Sequence, residues 1–186
     1  MKDYIIVTPK DWGPYLWNFL HCVPKYIKDN NKCKYVALFK NLYHIIPCHV
    51  CKEHYAEFYL ENKMTTKKVS TLFLKRWVLK LHNSVNRKLS RKQWTLKESD
   101  RVHKKLNIAD FLKFVNYVIK KYKQDNTTVF QYLHLLTFFQ IIGSMFPNRN
   151  IRKMFNKVEE RQISNINDLD KWFMNYLKYS KVCFLS

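Results

Sequence analysis

An all-α protein is what this sequence predicts, and three observations carry the expectation. Apolar residues recur at helical spacing almost throughout, no alternating strand pattern flanked by turn glycines occurs, and glycine stands at two positions only, Gly13 and Gly143. At 186 residues the chain has room for one domain, or for a module with an appendage, and its 47% hydrophobic and 16% aromatic content excludes general disorder. Two distant glycines also exclude a P-loop and a G-x-G-x-x-G fingerprint, each of which needs several close together. Any nucleotide cofactor must be held some other way.

Thr8-Pro9-Lys10-Asp11 reads as an N-cap, a proline in the first turn and an acid at the third position. A first helix starts there and runs to about Lys28, where Asp29-Asn30-Asn31 ends it. Val36, Phe39, Tyr43 and Ile46 mark a second amphipathic helix, which Pro47 stops. Tyr55, Phe58 and Tyr59 carry a third to about Asn62. After a polar linker at 63–68, Leu74, Trp77, Val78, Leu81, Val85 and Leu89 form the apolar stripe of a fourth, over roughly Thr71 to Leu89.

From Arg91 to Lys105 the charge density rises and the apolar pattern lapses, so a module is expected to end near there, at residues 1–95. Residues 96–186 read as a helical extension through Phe111, Val115 and Val118, then 130–145, then Met154 and 172–177. Leu169-x-x-Trp172-Phe173 echoes Leu74-x-x-Trp77-Val78. The extension is thus either a degenerate second copy of the module or an unrelated helical appendage.

Thirty-four Lys plus Arg against fourteen Asp plus Glu give a formal net charge of +20. Such a charge draws a protein toward phosphate, nucleic acid or anionic membranes. The basic residues are scattered rather than striped, as on a solvated surface, so nucleic acid is not the expected partner; a non-enzymatic basic nucleic-acid-binding or scaffold protein stays as the alternative class. Near the N-terminus the apolar run Ile5–Val7 is too short for a signal core, and nothing downstream approaches a membrane span. The expectation is a cytoplasmic protein in a reducing compartment. An odd count of five cysteines does not make a secreted disulfide framework.

The stretch C-H-V-C-K-E-H-Y at 48–55 carries the one close cysteine pair, Cys48 and Cys51. With Pro47 before it, Cys48 is expected in the first turn of the third helix, where unpaired N–H groups favour a thiolate, and Cys51 follows one turn later within disulfide reach. A zinc half-site competes, since His44, His49 and His54 lie near, but no second C-x-x-C exists and no metal is expected. A thioredoxin-like centre lacks its βαβ context. On the first helix Gly13, Trp17 and His21 recur every four residues, drifting roughly 40° per step, and so share a face. On the fourth, His82, Asn83 and Asn86 form a polar stripe beside Val85, where asparagine is a poor helix former.

W-G-P-x-x-W-x-x-L-H at 12–21, Tyr26, P-C-x-x-C at 47–51 and W-x-x-x-L-H-N-x-V-N-x-x-L at 77–89 stand in an order and spacing that resembles the Erv/ALR family of FAD-linked sulfhydryl oxidases, most of all the forms of large DNA viruses. The resemblance covers about the first half of the chain. It implies a four-helix bundle with a short fifth helix that holds FAD, a Cys48–Cys51 redox dithiol, reduced protein thiols as substrates and molecular oxygen as acceptor, in host cytoplasm or virion. It also implies that Gly13, Trp17, His21 and Tyr26 lie along the flavin, and that His82, Asn83, Val85 and Asn86 hold the adenosine end. Lys88 and Arg91 would meet the pyrophosphate, and Trp94 would cover the adenine. Arg91 stands where a lysine is more usual and Pro14 where many members have arginine. The second cysteine pair of many members is missing, leaving Cys22, Cys33 and Cys183 single. A homodimer or an internal pseudo-dimer is the implied assembly.

Overall fold

The computed structural model describes residues 8–125, 129–157 and 165–179, and all regular structure among them is helical. The expected all-α class is what the structure has. In the first half, α1 is Pro9–Cys22, α2 is Lys32–Ile45, α3 is His49–Glu61 and α4 is Thr71–Lys88, with a short α5 at Leu96–Val102. The second half carries α6 at Ile108–Gln124, α7 at Val129–Met145, α8 at Arg149–Asn156 and α9 at Ile166–Tyr179. Cys183 lies outside the described residues.

Local chemistry sets most of the ends. The Asp11 carboxylate accepts from the Thr8 backbone N–H at 2.7 Å and from its hydroxyl at 2.8 Å, fixing the start of α1. Pro14 lies inside that helix without ending it. Contrary to the expected run to Lys28, α1 stops at Cys22, and a 3-10 turn covers Val23–Tyr26. Pro24 has no N–H to give the fourth-preceding carbonyl, so the helix cannot simply continue. The Ser70 hydroxyl caps α4 by accepting from the Phe73 N–H at 3.2 Å. At the other end Ser90 takes φ 52°, the Arg91 N–H reaches the Asn86 carbonyl at 2.8 Å, and the Ser90 N–H reaches that of Arg87 at 3.1 Å. This left-handed cap is usually built on glycine, and here a serine supplies it.

The buried face of α2 is Tyr35, Leu38, Phe39, Leu42 and Ile45, whereas Val36 is half-buried and Tyr43 exposed. Trp77 of α4 packs edge-on against Phe39 at 5.1 Å and Phe58 at 5.0 Å, and its indole N–H donates to the Asn62 carbonyl at 2.7 Å. The two halves share one core: α6 packs along α1 and α7 along α2. Phe19 of α1 meets Phe111 of α6 at 4.8 Å, and Phe111 meets Phe146 at 4.7 Å. Each of these rings is fully buried, worth about 2–3 kcal/mol apiece in transfer from water.

The second of the two glycines is a packing device. A Cβ built on Gly143 of α7 would stand 2.3 Å from the Asn156 side-chain oxygen and 3.0 Å from its backbone nitrogen, so α8 closes on α7 only because no side chain is there. Gly143→Ala is therefore expected to lower stability by about 1–3 kcal/mol in urea unfolding, despite alanine's better helix propensity. An unchanged or higher midpoint would refute this tight contact.

Candidate functional site

The cysteine pair is built by the break between α2 and α3. Pro47 denies α2 a continuation, and Cys48 takes an extended conformation, φ −120° and ψ 123°, as the N-cap of α3 rather than a residue of its first turn. Its sulfur accepts from the Cys51 N–H at 3.3 Å, and its carbonyl from the Lys52 N–H at 2.9 Å. Cys48 and Cys51 form a disulfide with Cα atoms 5.2 Å apart. Both are half-buried, and exposed His49 and Val50 lie between them, so a thiol can approach from solvent.

The zinc half-site does not assemble. His44 stacks on His134 of α7 with ring centres 3.5 Å apart, His49 pairs with Glu53 at 3.4 Å, and His54 bonds the Ser84 hydroxyl at 3.2 Å. Cys22 is buried, its thiol donating to the His103 carbonyl at 3.4 Å, and burial pushes its pKa up; Cys33 is exposed.

A second centre forms where α1 crosses α4. Trp17 stacks face to face on His82, 4.1 Å apart and 9° from parallel, and His82 Nδ1 lies 2.9 Å from His21 Nε2. His21 in turn stacks on His103 at 4.3 Å and shares a 2.9 Å hydrogen bond with the Ser99 hydroxyl. Trp94 closes the group, 5.0 Å from the His82 ring and 5.6 Å from His103. The structure thus brings together Trp17, His21, His82 and Trp94. Asn83 joins them indirectly: its carboxamide donates to the Trp94 carbonyl and accepts from the Trp94 N–H, both at 2.8 Å. Gly13 and Asn86 are buried and Val85 half-buried on the same two helices. Tyr26, Lys88 and Arg91 are exposed; Lys88 meets Glu57 at 3.8 Å.

Ser99 and His103 were not singled out in the sequence. Ser99 sits on α5 and His103 caps its C-terminal end, in the stretch read as the module's edge, and the available signal was Thr95-x-x-Glu98, a capping box that forms as such, the Thr95 hydroxyl accepting from the Glu98 N–H at 3.2 Å. The expected short fifth helix is this one, beyond residue 95. Asn18 pins the following loop, accepting from the Asn107 N–H at 3.0 Å.

All three histidines are neutral at pH 7. Burial, then the neighbouring His103, His82 and Lys25, push His21 down to about 2; burial, His103 and Arg91 push His82 to about 4; burial and Lys25 push His103 to about 4. Their ligating atoms lie within 4.8 Å of one another, which raises the question of a metal. The geometry argues against one. Both His21 nitrogens are engaged, Nε2 with His82 Nδ1 and Nδ1 with the Ser99 hydroxyl, no carboxylate among the described residues joins the group, and Lys25 and Arg91 make the surroundings positive. That field suits an anionic, flat-ringed ligand. Two further observations fit such a group: His103 Nε2 is buried with no hydrogen-bond partner, and a Cβ on Gly13 would meet nothing within 4 Å, so open space lies beside α1. An unsatisfied buried nitrogen costs about 1–3 kcal/mol.

Comparison with known proteins gives two findings. The sequence model of the Erv1 / Alr family matches residues 14–107, just over half of the chain. A protein of Acanthamoeba polyphaga mimivirus named "Probable FAD-linked sulfhydryl oxidase R368" is 29% identical over 85 residues, covering 43% of this chain and 59% of that relative. The chain therefore spans less than two thirds of the relative's length. No solved structure matches.

The three neutral histidines tie stability to pH. Each has a folded pKa below the ordinary 6.5, so unfolding takes up protons, and stability present above pH 6.5 is lost as pH falls toward about 4. His82→Gln is expected to flatten the fall in unfolding free energy between pH 6.5 and 5 by up to about 1.4 kcal/mol per pH unit, one proton's worth. Parallel curves for wild type and variant would show that His82 is not held neutral.

Proposed function

Because the chain belongs to the Erv1 / Alr family, we propose that it is an FAD-dependent thiol oxidase that forms disulfides in protein substrates and passes the electrons to oxygen. The observation that carries this reading is that the matched residues, 14–107, take in both the Cys48–Cys51 disulfide and the histidine cluster. The chemistry follows from the cap position. A substrate thiolate attacks Cys48 Sγ, the bond to Cys51 breaks, and Cys51 leaves as a thiolate; a second substrate thiol then displaces Cys48, so two thiols become one disulfide. The free N–H groups at the start of α3 stabilise negative charge on Cys48 when it is released. When bound, FAD would supply the two-electron acceptor for the reduced Cys48 and Cys51 pair, with oxygen as the final acceptor and hydrogen peroxide as the product.

The residues that would hold the FAD are those of the second centre. Trp17 and His82 offer flat faces, Gly13 leaves room along α1, and His21, Tyr26, Val85 and Asn86 complete the lining. Lys88 and Arg91, at the C-terminal end of α4, are exposed cations suited to the pyrophosphate. Asn83 works through Trp94, which its carboxamide fixes over the cluster. No helix among the described residues is long and apolar enough to cross a membrane, and a reducing cytoplasm is the proposed setting.

The second half reads as a degenerate copy that completes the enzyme as an internal pseudo-dimer. Pro147-Asn148 precedes α8 as Pro47-Cys48 precedes α3, and Asn148 Oδ1 accepts from the Ile151 N–H at 3.1 Å, the bond that Cys48 makes to Cys51. Asn165 caps α9 with a bond to the Asp168 N–H, three residues on, as Ser70 does to Phe73. Leu169, Trp172 and Phe173 are then buried in the places of Leu74, Trp77 and Val78. Asn148 and Ile151 stand where the cysteines would be, so this copy has no dithiol.

Cys48→Ser and Cys51→Ser are each expected to abolish oxygen uptake with dithiothreitol while the protein keeps its flavin. Normal turnover of either variant would refute the dithiol's role. Sedimentation should return the 22.8 kDa monomer, since α6 and α7 already cover α1 and α2. A stable dimer would remove the pseudo-dimer reading.

A further inference from the structure

We infer that His103, delivered by the turn that ends α5, is a cofactor-binding residue whose free Nε2 hydrogen-bonds a polar edge of the bound dinucleotide. The inference rests on the FAD reading above and adds a residue that the sequence motifs do not contain. Four contacts hold His103 rigidly. Its N–H closes α5 on the Ser99 carbonyl at 2.9 Å, its own carbonyl accepts from Cys22 and from the Lys25 ammonium, and its ring lies flat on His21. The residue is 8% exposed, yet Nε2 has no partner. A buried imidazole nitrogen left unpaired in so ordered a setting is a group waiting for a ligand, because native interiors otherwise satisfy such atoms.

The surroundings name the ligand's chemistry. Trp94 at 5.6 Å and the His21 ring supply aromatic faces, while Lys25 and Arg91 supply positive charge near the cluster. A planar heterocycle carrying phosphates meets all of these at once, whereas a cation is opposed by Lys25 and Arg91. Neutral imidazole can donate or accept at Nε2 according to its tautomer, so it can pair with either kind of atom on a heterocycle edge. The segment is tethered at both sides, by Asn83 to Trp94 and by Asn18 to Asn107, so His103 is presented by a fixed strap.

The test uses full-length protein stripped of flavin, titrated with FAD and followed by flavin fluorescence, with the thermal midpoint of each flavin-free protein measured alongside. His103→Phe keeps a flat ring against His21 but removes the nitrogen. The expected result is FAD affinity weakened about tenfold, with a flavin-free midpoint unchanged or raised, since an unsatisfied atom has been deleted. His103→Gln, which restores a polar group, should recover part of the affinity. Affinity equal to wild type in His103→Phe overturns the assignment. So does a loss of affinity matched by a fall in the flavin-free midpoint in both variants, which marks a structural residue. A wild-type chain that takes up no FAD overturns the FAD reading itself and this assignment with it.

Discussion

Everything in this molecule depends on α1 being held from two sides at once. Its Trp17 and His21 face α4, where they meet His82, while Phe19 faces α6 and the shared phenylalanine core. Residue 19 lies between 17 and 21 in sequence but points away from the face they share, so the same two turns serve a polar aromatic cluster and a dry interface. The dry side supplies the energy. The polar side, with neutral buried imidazoles and one unpaired nitrogen, is the costly one, and it is tolerable because the packing against α6 fixes the helix regardless.

The same division of labour governs α4. Its first half is anchored by Trp77 among Phe39, Tyr55 and Phe58, and its second half carries His82, Asn83 and Asn86. Asparagine weakens a helix, but Asn83 is repaid in geometry: a planar carboxamide that both donates to and accepts from one residue fixes Trp94 more completely than a single bond does. The left-handed serine at position 90 then turns the chain so that Arg91 follows immediately on the helix end.

What the sequence made legible was whatever is written in local patterns. Helical periodicity, the cap at Thr8, the proline before Cys48 and the four-residue recurrence on α1 and α4 are short-range facts, and each appears in the structure. The end of α1 was misplaced although Pro24 marks it, because the apolar pattern ran on past the proline. Helix α5 was expected from the family resemblance alone and had no place in the apolar pattern, for the opposite reason: it is seven residues long with little apolar content, so only its capping box announces it. His103 and Ser99 were invisible with it. The pairing of α6 with α1 and α7 with α2 has no periodic signature, and a lone Leu-x-x-Trp echo was the sole trace of it in the sequence.

That cross-half pairing also sets an order of events in time. The apolar face of α1 leaves the ribosome early, but its covering, α6 and Phe146, is synthesised only after the whole of the first half is complete. Contacts of such long sequence separation are slow to close and leave apolar surface exposed while the chain waits. Cys48 and Cys51 are local and can meet as soon as α3 begins. The Cys48–Cys51 disulfide is thus able to form before the scaffold around it has sealed, and a nascent chain presents its sulfurs next to uncovered helices, where another unfinished chain's thiol could reach them.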